Sequence, residues 1–96
     1  MSEEYNGWRN YETWVVNLWL TNDEVSYNYL YDLARETPNK GELAEILKDD
    51  TEDRYYDLQD NSEVPGMFQD LLLRAINRVD WIEIAEHALE MVEDDG

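Results

Sequence analysis

The 96 residues suffice for one domain with a single core, and four Trp and seven Tyr supply that core with large side chains. The chain has 24 Asp and Glu but only seven Lys and Arg, which gives a formal net charge of −17. This charge excludes direct binding to nucleic-acid phosphates and to anionic membranes. The chain has no cysteine, which excludes disulfides and thiolate metal sites and fits a reducing cytoplasm. No apolar run reaches the length of a membrane span, so we expect a cytoplasmic protein without a membrane segment.

The first predicted helix covers residues 10–22, after an irregular stretch that contains an Asn6-Gly7 turn. Asn10 can cap this helix at its N-terminus. Apolar residues surround most of its circumference, so we expect it at the centre of the core, with Trp14 and Trp19 buried. Both ends of the chain are expected to be partly disordered.

Residues 23–36 allow two interpretations. The alternation of apolar and polar residues over 25–33 is typical of a strand. Acidic residues at the start of the segment and Arg35 near its end complement a helix dipole, and for that reason we prefer a helix.

The acidic segment from Lys40 to Asp60 follows a loop at residues 37–41. Its apolar residues recur at three- and four-residue steps, the period of an amphipathic helix: Leu43, Ile46, Leu47, Tyr55 and Leu58. The other positions carry eight carboxylates: Glu42, Glu45, Asp49, Asp50, Glu52, Asp53, Asp57 and Asp60. In an unbroken helix these eight charges extend over roughly 27 Å, one per about 3.4 Å, which is the axial charge spacing of a DNA strand. The alternative is a solvated face that only keeps the protein soluble.

Two further helices are predicted after a loop at residues 61–66. The segment 67–77 is expected to bury six apolar residues: Met67, Phe68, Leu71, Leu72, Ala75 and Ile76. The segment 79–96 begins with Asp80 as a cap and Glu83 three residues later, as in a capping box. Its expected inward side chains are Trp81, Ile82, Ala85, Ala88, Leu89 and Val92. Its outward carboxylates form a second acidic stripe: Glu83, Glu86, Glu90, Glu93 and Asp94. The sequence thus predicts an all-α single domain (1–96) of about five helices around an aromatic-rich core, with an α+β fold containing a strand near residues 25–33 as the alternative.

Catalytic and metal-binding patterns are missing from the sequence. His87 is the only histidine and lacks the second ligand of zinc or di-iron helices. The acidic run from Asp49 to Asp60 has Arg54 where a calcium loop requires Gly. Neither a nucleophile elbow nor a Gly-rich phosphate loop is present. We therefore expect no enzyme, no cofactor and no metal.

Two motifs at opposite ends of the chain carry a family resemblance. The Asn-Tyr-Glu-Thr-Trp run at residues 10–14 and the Val-Asp-Trp run at residues 79–81 resemble those of a family of small uncharacterised proteins from phages, plasmids and prokaryotic genomes. The resemblance covers about a third of the chain and implies a mobile-element setting without an established activity. In size, helicity and acidity the chain also resembles phage anti-defence proteins that mimic DNA.

The charge pattern and this setting predict an inhibitor of a host nucleic-acid-targeting defence complex, of anti-restriction or anti-CRISPR type. Its partner would be a basic nucleic-acid-binding protein or complex of the host, whose Lys/Arg-lined surface receives carboxylates in place of phosphates. The expected contact residues are the eight carboxylates of residues 42–60 with Glu83, Glu86, Glu90 and Tyr56. The alternative is a non-enzymatic adaptor that binds through exposed tyrosines such as Tyr27, Tyr29 and Tyr56. The sequence leaves dimerisation open.

Overall fold

Five α-helices make up the computed structural model, which describes residues 4–61 and 65–95 and the side chains of 4–57 and 65–94. The helices are α1 (Tyr11–Asn22), α2 (Glu24–Glu36), α3 (Lys40–Asn61), α4 (Gly66–Arg78) and α5 (Trp81–Asp95). The predicted all-α fold is confirmed, and the strand near residues 25–33 is wrong because α2 covers them. Of the predicted loop at residues 61–66, positions 62–64 lie outside the described residues. Within the described ranges, no helix is both long enough and apolar enough to cross a membrane.

The core lies mainly between α3 and α5, and α2 packs on α5. Leu30, Leu43 and Ile84 are at most 1% exposed. Burial of a side chain of this size contributes about 2 kcal/mol relative to leaving it in water. On α5 the predicted burial of Ile82 is wrong, because Ile82 is exposed and Ile84 is buried instead. Ile84 lies three residues after Trp81 and four before Ala88, so it shares their helix face, whereas Ile82 is turned about 100° away from Trp81.

Helix α1 is peripheral, and its predicted central position is wrong. Thr13 is its only fully buried residue, Trp14 is half-buried and Trp19 is 69% exposed. The helix packs mainly on α2, with fewer contacts to α4 and α5. A helix that is apolar all round buries only the side that meets its neighbours, and Tyr11 and Trp19 of α1 remain exposed. Its outer side is consequently an apolar surface facing water.

Helix α4 also turns apolar residues outward. Ile76 is buried as predicted, and Leu73, three residues before it, packs against the core. The other large apolar side chains that were expected inside are exposed: Met67, Phe68, Leu71 and Leu72. The helix thus has two apolar sides. The periodicity favoured the wider side, with Met67, Phe68, Leu71 and Leu72, but the helix packs through the side with Leu73 and Ile76.

The N-terminal segment is fastened to the junction of α4 and α5 by polar side chains. Asn10 Oδ1 accepts from the Thr13 backbone N–H (2.9 Å) and hydroxyl (2.6 Å), and its amide donates to the Arg78 carbonyl at 2.8 Å. The Thr13 hydroxyl in turn accepts the Asp80 N–H at 2.8 Å, and Asp80 accepts the Glu83 N–H at 3.1 Å as the predicted cap of α5. The motifs at residues 10–14 and 79–81 are therefore joined by one hydrogen-bond network, which holds the N-terminal segment against α5.

Candidate partner-binding surface

The outer side of α3 carries most of the predicted contact residues. The helix is continuous over 22 residues, about 33 Å, and Asn39 caps it by accepting the Glu42 N–H at 3.0 Å. Within about 60° of the direction of Asp49 around the helix lie five acidic residues and one tyrosine, with the half-buried Ile46 at the limit on one side. This set, the acidic stripe, consists of Glu42, Glu45, Asp49, Glu52, Asp53 and Tyr56.

Most of the acidic stripe is open to solvent. Glu42, Glu45, Asp49 and Asp53 are exposed, and Glu52 is half-buried. Asp60 has the same direction on the helix, but its side chain lies outside the described residues. Lys48 and Arg54 project more than about 90° away from Asp49, so no cation lies on the line of the stripe itself.

Asp50 and Asp57 lie on one flank of α3 instead of on its outer side. Asp50 is half-buried and accepts a hydrogen bond from the Tyr29 hydroxyl of α2. Its carboxylate thus joins α3 to α2. Asp57 is exposed.

The opposite side of α3 is held firmly. Leu43, Leu47 and Tyr55 are buried as predicted, and the Tyr55 hydroxyl donates to the Gln69 carbonyl of α4 at 3.2 Å. A continuous helix anchored along its inner side keeps the spacing of its outer carboxylates fixed. The run from Asp49 to Asp60 is helical throughout, which is incompatible with a calcium-binding loop.

The second acidic stripe, on α5, is partly occupied by contacts within the chain. Glu83 is half-buried and accepts the Arg9 backbone N–H at 2.9 Å. Glu86 forms an ion pair with Lys40 at 3.2 Å, which joins this stripe to the first residue of α3. Glu90 is exposed to solvent. Of the three predicted α5 residues, Glu90 has the environment most similar to the α3 carboxylates.

Exposed aromatic residues form a different surface, which the sequence interpretation assigned largely to the core. Tyr5, Tyr11 and Trp14 contact one another with ring centroids 4.8–5.7 Å apart, and Tyr5 and Tyr11 are exposed. Trp19 lies farther along α1. The tyrosines predicted for an adaptor surface behave differently: Tyr27 and Tyr29 are half-buried, and Tyr56 is exposed within the acidic stripe. The uniform apolarity of α1 was the available signal for this surface.

A cleft of about 590 Å³ lies beside the start of α5, lined among others by Arg9, Lys48, Arg78 and Asp80. Three of its charged groups take part in ion pairs: Arg9 contacts Asp80 at 3.8 Å, and Arg78 pairs with Glu12 at 3.0 Å. His87 contacts Trp8, with ring centroids 4.2 Å apart and the ring planes tilted by 36°. Among the residues that the structure describes, no three His, Asp or Glu side chains are arranged to hold a metal ion.

Comparison with known proteins identifies one matching family, whose function is unknown. Residues 1–94 match the model of DUF7249, described as a family of unknown function. Neither a curated protein nor a solved structure matches the chain.

Proposed function

The chain belongs to DUF7249, a family of unknown function, and we propose that it is an acidic mimic of DNA whose α3 stripe occupies a Lys/Arg-lined DNA-binding surface of a host defence complex. In this role it is an anti-restriction or anti-CRISPR inhibitor carried by a phage or another mobile element. The observation that carries the proposal is a row of five carboxylates on one side of one unbroken helix, four of them exposed, with Lys48 and Arg54 more than about 90° from Asp49.

The geometry of α3 and the net charge of the chain both support this mechanism. Because the inner side of the helix is packed, the backbone that carries the carboxylates is already ordered when a basic surface docks, which lowers the entropic cost of binding. The net charge of −17 steers a cationic partner toward the protein over distances of about a Debye length. The resemblance of the two end motifs to those of phage and plasmid proteins supports the mobile-element setting.

Inhibition is expected to appear as restored phage infection. The protein is expressed in cells that carry one restriction or CRISPR system, and the plating efficiency of a targeted phage is compared with that in cells lacking the protein. A rise in plating efficiency of at least about tenfold is expected for the system it inhibits. Purified complexes then allow a competition test: duplex DNA displaces a mimic, and binding weakens at least about tenfold between about 0.05 and 0.5 M salt. A complex that binds the protein and DNA simultaneously contradicts the proposal.

The α1 surface favours a second candidate function, a non-enzymatic interaction adaptor. Exposed Trp and Tyr side chains are typical of residues that dominate binding energy at interfaces, and Trp19 and Tyr11 are both exposed. In this role the partner contacts α1, and the carboxylates only keep the protein soluble. Binding would then depend little on salt.

Trp19→Ala separates the two candidates. Because the side chain is mostly exposed, the free energy of unfolding is expected to change by less than about 0.5 kcal/mol. An adaptor loses at least about tenfold in partner affinity, whereas a DNA mimic keeps its affinity. Val25→Ala, at an exposed apolar position of α2, is the control and changes neither quantity. Urea unfolding and titration calorimetry with the captured partner measure both.

A further inference from the structure

The outer face of α4 is a contiguous apolar surface without a partner inside the described chain. Met67, Phe68, Leu71 and Leu72 are 65%, 53%, 58% and 41% exposed. They occupy adjacent positions one helical turn apart, so they form one patch instead of scattered contacts with water. Apolar patches of this kind on a soluble domain mark interaction sites.

The charges on α4 differ from those on the rest of the protein. The helix carries Asp70, Arg74 and Arg78, and Arg78 pairs with Glu12, so α4 is close to neutral, whereas anions predominate on α3 and α5. A basic partner is attracted to the acidic helices, and it gains no electrostatic attraction at α4, where Arg74 repels it. For two copies of this chain, each with a charge of −17, α4 is the helix along which they approach with the least repulsion.

The arrangement of Asp70 and Arg74 fits a second copy in one orientation. Both are exposed and lie one helical turn apart along the same edge of the α4 apolar face. In a two-fold antiparallel pair of helices equivalent edges meet, so Asp70 of each copy faces Arg74 of the other. A parallel pair would instead place each edge beside the opposite edge of its neighbour. From the apolar face and this charge pattern we infer that two copies of the chain form a homodimer through antiparallel α4 helices.

This inference stands independently of the proposed function, since none of its residues belongs to the acidic stripe. It has one consequence for that function: the dimer presents two acidic stripes on one assembly.

Sedimentation velocity of the full chain tests the dimer. Between about 5 and 500 µM, at about 0.15 M salt, the mass is expected to rise from 11.5 kDa toward twice that value. Leu71→Glu puts a charge at the centre of the face and is expected to weaken association at least about 100-fold. The control Val25→Glu, at a position 77% exposed on α2, leaves the dimer intact. A wild-type chain that stays monomeric throughout, or a Leu71→Glu chain that dimerises as well as wild type, overturns the inference.

Charge exchange tests the antiparallel orientation without relying on the Leu71 variant. Asp70→Arg and Arg74→Asp each place like charges opposite one another and are expected to weaken the homodimer about tenfold. An equal mixture of the two variants restores wild-type association, because a heterodimer brings opposite charges together again. A mixture that associates no better than the separate variants overturns the antiparallel arrangement. Circular dichroism checks that each variant remains helical.

Discussion

Replacing Asn10 by Ala is expected to lower the free energy of unfolding by about 2–4 kcal/mol, a large share of the stability of a domain of this size. The change removes the N-cap of α1, a loss of about 1 kcal/mol. It also removes the donor to the Arg78 carbonyl and the acceptor of the Thr13 hydroxyl, and groups left unpaired away from water cost about 1–3 kcal/mol each when they are not satisfied again. Urea unfolding followed by circular dichroism at one protein concentration measures the effect.

Two further variants decide whether the network is responsible. Asn10→Ser keeps an uncharged N-cap acceptor for the Thr13 N–H and loses the donor to Arg78, so we expect roughly half the effect of Asn10→Ala. Asn28→Ala, at an exposed position of α2, is the matched control and should change stability by less than about 0.5 kcal/mol. If Asn10→Ala behaves like this control, Asn10 does not fasten the N-terminal segment.

Local signals in the sequence account for the parts of the structure that were predicted correctly. Helix α3 has apolar residues at helical steps on one side and carboxylates on the other, so its period determines which side packs. The caps of α1 and α5 were predicted for a similar reason, because Asn10 and Asp80 act on backbone groups three residues away. Features that depend on residues close in sequence could be predicted from the sequence.

Features that depend on distant residues could not be predicted. The hydrogen bond between the Thr13 hydroxyl and the Asp80 N–H joins residues 67 positions apart, and no periodic pattern in the sequence predicts it. Helices α1 and α4 are apolar on more than one side, and which side is buried depends on which helices arrive next to them. Trp19 and Leu71 were assigned to the core for this reason, although both face water. The exposed apolar sides of α1 and α4 were therefore predicted to lie in the interior.

Reversing three charges of the acidic stripe is expected to abolish inhibition. The variant changes Glu45, Asp49 and Asp53 together to Lys. All three are exposed and project outward from α3, so the fold should survive, with less repulsion along the helix. Against a Lys/Arg-lined surface each attraction becomes a repulsion, and affinity should fall at least about 100-fold. Phage plating on cells that carry the inhibited defence system should return to its level without the protein.

Net charge alone could produce part of such a loss, because steering depends on the field of the whole protein. The matched variant therefore changes Glu24, Asp32 and Glu36 of α2 to Lys, which alters the net charge by the same amount at exposed positions of another helix. A mimic that docks through α3 loses only a modest part of its association rate in this control and still inhibits. Equal losses in both triple variants would mean that overall charge, and not the ordered row of carboxylates on α3, attracts the partner. Full inhibition by the α3 variant would exclude the stripe as the contact surface and would leave the aromatic side of α1 as the surface to examine.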